Sequence, residues 1–463
     1  MTPLGPDDVS LEAAPAQRAP QPAARPQLTT AAMESFRCLV DRCPDTCCRD
    51  WAVPIDRADL EQMKSALAKH PNGRGKLVRL VVLGRPSSYS EAVASLQMDD
   101  GGGCPMLESD DSCGVHATLG EAALTTACSV FPRTALAVGG HVEVGGSLGC
   151  PEVARLTLLG AQQPQLRPAT APMLPRDYVG KTIPSEPSDA YTHHFVEVRE
   201  ALLDAFRGDG ALGTALMIAA DFAERVQPFF HAGTRDFDGA QRAFTERRLR
   251  TEIENTRSKE LAAALDRDLA ALRAPGAGVA ALVWTLLSER RRLRHSAKYA
   301  ALIERVTSSV ASERPGRPAA GAPGELDDPE LLWRVYHHRR EAMAARLGTH
   351  GERPFRNYCL HHLMRSPYTD AGTLLEALYR LAVHLAAVRL LVVLHPSVAE
   401  RLAGDPDPTA DREVFDRVAV DAVQTFTKAI AHHPDFLDAA VNQAASRAGG
   451  VTFGQLVLLA KFV

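Results

Sequence analysis

The sequence lacks an excess of basic residues and any long apolar run that is free of charge. Its 52 Lys and Arg residues against 56 Asp and Glu give a formal net charge of -4 at pH 7, whereas a general nucleic-acid surface needs a strong basic excess. The most apolar stretch, residues 374–394, still contains Glu376, Arg380, His384 and Arg389, which a bilayer interior strongly disfavours. We therefore expect no nucleic-acid partner and no membrane span, and we interpret this stretch as a buried helix.

The start of the chain also has neither the cationic segment nor the apolar segment of an export signal. Residues 1–32 are instead rich in Ala, Pro and Gln, a composition that predicts a disordered tail. We expect a cytoplasmic protein, in which thiols stay reduced.

Beyond residue 150 the sequence has a single cysteine, Cys359, which is more typical of a buried hydrophobic residue than of a ligand. The other eight form two dense groups: Cys38, Cys43, Cys47 and Cys48, then Cys104, Cys113, Cys128 and Cys150. In a reducing compartment such a density indicates metal binding rather than disulfides. All eight are therefore candidate ligands of zinc or of an iron–sulfur cluster. Four thiolates complete one site, and the sequence leaves open which four.

The spacing of these residues suggests which donors share a turn. Cys43 and Cys47 are close enough to do so, as are Cys113 and His116. The adjacent Cys47 and Cys48 should point in different directions, so we expect at most one of them in a given site. The spacing typical of radical enzymes, with gaps of three and then two residues, fails because Asp50 stands where the third cysteine would be.

The apolar pattern predicts a mainly α protein. We expect a Cys-rich α+β metal-binding domain with short hairpins at 33–188, followed by a helical domain at 189–463 with a Pro/Gly-rich break at 312–324. In the first domain, residues 51–55 predict a strand, Asp56 predicts a helix cap, and Gly139-Gly140 predicts a hairpin. In the second, helical periodicity covers residues 195–206, 215–230, 331–347, 373–394 and 411–431.

Two sets of polar residues stand out in the helical half. Glu376, Arg380 and His384 recur every four residues along the apolar helix, so they form one polar stripe that is either structural or part of a pocket. Histidines occur in adjacent pairs, which point about 100° apart on a helix and do not chelate one ion. We expect most of these pairs, which include His361-His362, at the surface or half-buried.

Specific blocks of sequence resemble the flagellin lysine-N-methylase family. The first block runs from Phe36 to Asp56 and contains Cys38, Cys43-Pro44-Asp45-Thr46-Cys47-Cys48 and Trp51. The second comprises Cys104-Pro105-Met106-Leu107, Cys113-Gly114-Val115-His116, Gly120-Glu121, Cys128 with Phe131-Pro132-Arg133, and Gly149-Cys150-Pro151-Glu152. A weaker third block is Phe355-Arg356-Asn357-Tyr358 with Pro367 downstream.

The resemblance implies a lysine N-methyltransferase that uses S-adenosylmethionine and acts on a protein or peptide, flagellin in the members that give the family its name. It also implies an iron–sulfur cluster, [4Fe–4S] in type, held by the cysteines, with zinc as the alternative because related proteins are described as zinc or iron chelators. The cluster would either position the methyl donor or brace the fold. Candidate catalytic residues are those in the motif or the polar stripe: Glu152, Tyr358, Glu376 and His384.

Two other functions fit the same residues. A zinc staple could carry a helical adaptor with no enzymatic activity, since most Cys-rich sites in small subdomains are structural. An iron-dependent oxidoreductase is the second alternative, and it would consume oxygen or electrons without a methyl donor.

Overall fold

The computed structural model describes residues 2–3, 25–49, 53–68, 81–83, 92–99, 102–109, 112–176, 178–187, 189–208, 210–231, 239–271, 276–291, 296–314, 326, 328–431 and 457. These ranges contain all nine cysteines. Most of the predicted tail, Trp51, residues 315–324 of the predicted break and the pair His432-His433 lie outside the described residues. The part described is mainly helical, as predicted.

The α-helices are numbered in chain order. They are α1 (Ala31–Ser35), α2 (Arg57–Ala68), α3 (Gly114–Leu119), α4 (Thr126–Val130), α5 (Pro151–Leu159), α6 (Ala190–His193), α7 (Phe195–Phe206), α8 (Leu212–His231), α9 (Gly239–Asn255), α10 (Lys259–Ala271), α11 (Gly276–Arg291), α12 (Ala297–Ala311), α13 (Pro329–Leu347), α14 (Arg353–Arg365), α15 (Leu374–Val393), α16 (Pro396–Ala403) and α17 (Pro408–Phe426). A π-helical turn, Thr427–Ala431, continues α17.

The strands form two small sheets. They are β1 (Thr2–Pro3), β2 (Gln27–Thr29), β3 (Pro54–Ile55), β4 (Val81–Leu83), β5 (Ala94–Leu96), β6 (Arg133–Val138), β7 (His141–Gly146), β8 (Arg167–Pro168) and β9 (Lys181–Ile183). One sheet has the order β1-β4-β5-β3 and is antiparallel. The other has the order β8-β2-β7-β6-β9, in which β2 is parallel to β7 and β9 is parallel to β6.

The predicted hairpin is confirmed as β6 and β7, which pair antiparallel from Arg133 opposite Gly146 to Val138 opposite His141. Gly139 in the connecting turn has φ of 54°, a left-handed conformation that glycine adopts without steric cost. The larger sheet also includes Gln27–Thr29, whereas the sequence placed the end of the tail at residue 32. The segment Gln27–Thr29 is too short for its apolar pattern to predict a strand, and it becomes one by pairing with β7.

Side-chain caps explain where many helices begin. The Oδ1 atom of Asp56 accepts a hydrogen bond from the Asp59 N–H at 2.7 Å, as predicted, and Thr125 caps α4 through the Cys128 N–H at 3.2 Å. Asp328 and Asp407 cap α13 and α17, each followed by proline at the first helical position.

Helix α15 is the centre of the helical core. Every residue from Leu381 to Val393 is buried, because α8, α11, α13, α14 and α17 all pack around it. A helix enclosed on all sides needs apolar residues on all sides, which explains its hydropathy. Among the described residues no single helix has the length and apolar character to cross a membrane, although α15 and α16 pass that test as a pair bent by 50°.

A buried ion pair joins the larger sheet to the helices. The Arg199 guanidinium on α7 donates two hydrogen bonds of 2.6 Å to the Glu143 carboxylate on β7, and each side chain is 4% exposed. Bidentate geometry of this kind is the strongest form of the pair.

We expect Arg199→Met to reduce the free energy of unfolding by about 3 kcal/mol, because the buried Glu143 carboxylate loses its bidentate guanidinium and keeps only the single contact with His141 Nε2 at 3.2 Å. Urea unfolding followed by circular dichroism measures the change. The matched control is Arg225→Met, since Arg225 pairs with Asp221 one turn away and is 47% exposed, and this change should cost less than about 1 kcal/mol. Equal effects of the two substitutions would contradict the role given to the buried pair.

Candidate functional site

In the structure the cysteines form two spatial groups, which differ from the two groups along the sequence. The first spatial group comprises Cys48, Cys104, Cys113 and Cys128. The Cys104 N–H donates a 2.8 Å hydrogen bond to the Cys48 carbonyl, and the Cys128 thiol lies within charge-interaction range of the other three. Cys48, Cys104 and Cys128 also share a small apolar cluster with Ile55 and Met63. The segments that carry these residues are therefore adjacent, which a single site built from both sequence groups would require.

The second group comprises Cys38, Cys43 and Cys150. The thiols of Cys38 and Cys43 lie within charge-interaction range of Cys150, and the Cys43 thiol hydrogen-bonds to the Asp45 carbonyl at 3.3 Å. Cys47 lies between the two groups, because its thiol interacts with Cys48, Cys128 and Cys38. The expected divergence of Cys47 and Cys48 is wrong in one respect, since a hydrogen bond links the two thiols.

These neighbours do not form a closed coordination shell. Within the described ranges, no three Cys, His, Asp or Glu side chains are arranged to hold a metal ion, and all nine cysteines are free thiols. His116, the predicted partner of Cys113, is exposed on α3. Cys359 lies in the helical core with no exposed surface, as predicted for a buried hydrophobic residue.

Burial changes the acidity of the thiols. Desolvation raises the pKa of Cys104 to about 11, of Cys128 to about 12 and of Cys150 to about 11, and the neighbouring thiols add to the shift for each of them. The pKa of Cys47 is also raised. The larger cause is the hydrogen bond with the Cys48 thiol, and the smaller cause is burial. Thiols in such surroundings are protonated at neutral pH, so binding of a cation would have to release their protons.

Asp45 attaches the cysteine loop to the end of the helical half. Its carboxylate accepts hydrogen bonds of 2.7 Å from both Lys428 Nζ and Gln424 Nε2. The Lys428 ammonium also donates to the Thr46 carbonyl at 3.0 Å, and the Gln424 amide donates to the Gly149 carbonyl at 2.9 Å. Asp45 and Lys428 are 8% and 9% exposed, so the position of the loop depends on a buried ion pair.

A cavity of about 580 Å³ lies between the larger sheet and helices α14 and α15. Ala127 and Val130 form part of its wall, and they belong to α4, which carries Cys128 between them. The lining also includes Arg133, Tyr178, His361, His362, Arg365 and His384. Small-molecule sites in proteins have volumes of roughly 300–1,000 Å³, so this cavity is of suitable size for a ligand.

Tyr358 and His384 form a buried pair at this cavity. The Tyr358 hydroxyl lies 3.1 Å from His384 Nδ1, and the two residues are 3% and 6% exposed. The other ring nitrogen, His384 Nε2, is buried and has no hydrogen-bond partner among the described residues. Burial lowers the pKa of His384 well below its usual range and raises that of Tyr358. Both side chains are therefore neutral at physiological pH.

Two further histidines line the same wall. Burial, with a contribution from the positive charge of Arg365, lowers the pKa of His361 to about 3 and of His362 to about 4. His361 Nε2 lies 2.7 Å from the Gly146 carbonyl on β7. The expectation that histidine pairs lie at the surface or half-buried is wrong for His361, which is 8% exposed, because α14 packs one face against the sheet.

The structure separates the four candidate catalytic residues. Tyr358 and His384 come together, whereas Glu152 pairs with Arg155 on α5 and Glu376 pairs with Arg380 on α15, each at 2.7 Å. Of the four, only His384 is among the residues that line the cavity, and Tyr358 reaches it through its hydrogen bond with His384. The polar stripe thus contributes Arg380 and His384 to the pocket, but not its carboxylate.

Two charged residues of the cavity, Arg133 and Arg365, do not stand out as site residues in the sequence. Arg133 belongs to the Phe-Pro-Arg motif that follows Cys128, and Arg365 ends α14. The motif was a usable signal for Arg133. Only the packing of α14 against the sheet could have identified Arg365.

Comparison with known proteins places the chain in a class of enzymes. The family model described as the FliB lysine N-methylase C-terminal domain matches residues 210–459, more than half of the chain. The chain therefore belongs to the FliB lysine N-methylase family. No solved structure matches it.

The individual relatives match over a shorter segment. The chain is 30% identical over 125 residues to the flagellar biosynthetic protein FliU of Salmonella muenchen, which covers 26% of this chain and 68% of that protein. It is 31% identical over 121 residues to a lysine-N-methylase of Salmonella choleraesuis, strain SC-B67, covering 26% of this chain and 29% of the relative. A lysine-N-methylase of Salmonella typhimurium, strain LT2, gives 30% identity over 125 residues with the same coverage of both chains. The match thus spans under a third of the two lysine-N-methylases.

We expect Lys428→Met to reduce the free energy of unfolding by about 2–3 kcal/mol, since it keeps most of the side-chain volume but removes the nearer of two ammonium groups from the buried Asp45 carboxylate and leaves Lys298 at 3.7 Å. Chemical unfolding measures this change. Lys259→Met is the control, because Lys259 is exposed on α10. If both variants unfold at the wild-type denaturant concentration, Asp45 does not depend on Lys428.

Proposed function

We propose that this protein transfers a methyl group from S-adenosylmethionine to the side-chain nitrogen of a lysine in a protein substrate, and that the 580 Å³ cavity is where transfer occurs. Membership of the FliB lysine N-methylase family supports the reaction. The observation that supports the location is the buried Tyr358–His384 pair, of which His384 lines the cavity. Flagellin is the first candidate substrate, because a relative is named as a flagellar biosynthetic protein.

Methylation requires a neutral amine, whereas a free lysine has a pKa of about 10.4 and is charged at neutral pH. Burial disfavours any charged nitrogen, and the low pKa of His384 shows that the cavity wall has this effect on an imidazole. A lysine side chain that enters the cavity should therefore release its proton to water. The surroundings favour the reactive form of the amine.

We assign His384 the role of holding that amine. In the tautomer that we propose, Nδ1–H donates to the Tyr358 oxygen, so the lone pair on Nε2 faces a position where it accepts an N–H from the substrate. The lysine nitrogen then forms the new N–C bond while the C–S bond of the sulfonium breaks, and the bonding pair stays on sulfur. Correct positioning of the two reactants can account for much of the lowering of the barrier.

The cysteines have the donor chemistry for an iron–sulfur cluster. Cys48, Cys104, Cys113 and Cys128 provide four thiols from adjacent segments, which is the number that a [4Fe–4S] cluster or a tetrahedral zinc needs. We propose these four as the ligands, with the second group (Cys38, Cys43 and Cys150) and Cys47 as alternative donors or as a second site. A bound cluster would hold α4 and the cysteine loop together and so brace the cavity wall.

The methylation proposal predicts a large loss of activity in His384→Gln. We expect the initial rate to fall about 100-fold, since the substrate amine loses its acceptor, while His338→Gln, at an exposed position on α13, should keep the wild-type rate. The assay incubates anaerobically purified protein with flagellin and isotope-labelled S-adenosylmethionine, and mass spectrometry then locates labelled lysines. If no labelled lysine is found in flagellin or in an extract of the host, the methylation proposal is wrong.

The metal proposal predicts that Cys128→Ser loses most of its bound iron and sulfide, because it removes one ligand of the four. Cys359→Ala is the control, since Cys359 is buried in the helical core away from the cysteine groups. Iron and sulfide analysis with visible absorption spectra measures both variants. Stoichiometric zinc in a colourless wild-type protein would instead support the structural staple.

A further inference from the structure

Arg365 is a half-buried cation with no acidic partner among the described residues. It lies in the last turn of α14 and lines the cavity, and burial lowers the pKa of its guanidinium. Its Nε atom is buried without a hydrogen-bond partner, and no ion pair involves Arg365 among the described residues. Arginine keeps its charge in proteins even when buried, so the cavity contains an uncompensated positive charge.

Arg133 presents a second guanidinium from another wall. It begins β6, so it belongs to the sheet that faces α14 across the cavity. Its Nε atom is also buried without a hydrogen-bond partner in the part of the chain that the structure describes. Its guanidinium lies 5.6 Å from the centroid of the Phe36 ring, and the Glu121 carboxylate, which is not part of the cavity lining, is within charge-interaction range.

The remaining charged groups of the lining are already paired. Glu143 is bound by Arg199, Lys181 pairs with Asp370, and Arg380 pairs with Glu376. The histidines of the wall are neutral, because burial lowers the pKa of each. No carboxylate in the described lining therefore neutralises the charge of Arg133 or Arg365.

The position of Arg365 at a helix end does not explain why its Nε atom lacks a hydrogen-bond partner. Basic residues are common in the last turn, where they hydrogen-bond the free carbonyls or meet the negative end of the helix dipole. Such residues usually reach water or a carbonyl, whereas Arg365 lines the cavity with its Nε buried and without a hydrogen-bond partner among the described residues. A buried polar group of this kind indicates a partner that binds there.

We propose that Arg365, with Arg133 on the facing wall, binds the anionic group of a small molecule that occupies this cavity, either a carboxylate or a phosphate. Guanidinium groups bind both anions through paired N–H donors. If the proposed function holds, on which this identification rests, the anion is the carboxylate of the amino-acid part of the methyl donor. That arrangement would place the carboxylate beside α14.

Binding measurements can separate this proposal from the reaction. We suggest titration calorimetry of the intact, anaerobically purified chain with three probes: S-adenosylhomocysteine, which has the carboxylate, 5′-methylthioadenosine, which lacks the amino-acid part, and inorganic phosphate. The variants are Arg365→Gln and Arg133→Gln, with Arg334→Gln at an exposed position on α13 as the control. Circular dichroism checks that each variant folds, and two separate arginines keep the test valid if one variant does not.

We expect Arg365→Gln to weaken S-adenosylhomocysteine binding at least about tenfold and methylthioadenosine binding less than about twofold, because only the first probe makes a charge-assisted hydrogen bond there. Arg365→Lys should recover part of the loss. Phosphate binding that depends on Arg365, without binding of either adenosine compound, would support the anion site and argue against the donor assignment. Equal affinity of wild type and both arginine variants for every probe, or no binding of any probe, would overturn the inference.

Discussion

The buried contact between Asp45 and Lys428 determines where the cysteine loop lies. Two protein segments that are 383 residues apart meet in this ion pair, and Gln424 adds hydrogen bonds to Asp45 and to the turn before Cys150. Because the carboxylate is removed from water, it depends on these donors for its stability. The contact therefore fixes the Cys43–Cys48 loop and the Cys150 turn against the same helix.

The cavity results from how the larger sheet meets the helices. Helix α5 follows Cys150 and packs on both α14 and α17, while α14 also contacts α7 and β7. The space between these elements is lined by the sheet on one side and by histidines and arginines of α14 and α15 on the other. Helix α4 closes part of the wall and carries Cys128, so the cysteine groups and the cavity share an element.

The sequence could predict the features that depend on local patterns. Asp56 as a cap, the Gly139 turn and the helix at 195–206 follow from residue types at short range, and the structure has them. The structure also brings residues 43–48 close to residues 104–150, as a shared site for both cysteine groups of the sequence would require. The domain division remains a prediction, as do the metal ligands.

The features that it could not predict depend on contacts between distant segments. Tyr358 and His384 meet because α14 and α15 pack face to face, and nothing in either segment alone indicates the partner. The burial of Arg365 has the same origin, since the residue looks like an ordinary basic helix end. Pairing of Glu152 and Glu376 with nearby arginines is visible from spacing, but their absence from the cavity is not.

The distance in sequence between Asp45 and its partners has a consequence for synthesis. A ribosome adds about 5–20 residues per second, so the loop is made roughly 20–80 seconds before Lys428 exists. During that interval the thiols of Cys43, Cys47 and Cys48 belong to a nascent chain without its closing helix. A metal or a cluster loaded after release would meet a formed pocket, whereas one loaded during translation would have to be held by the early cysteines alone.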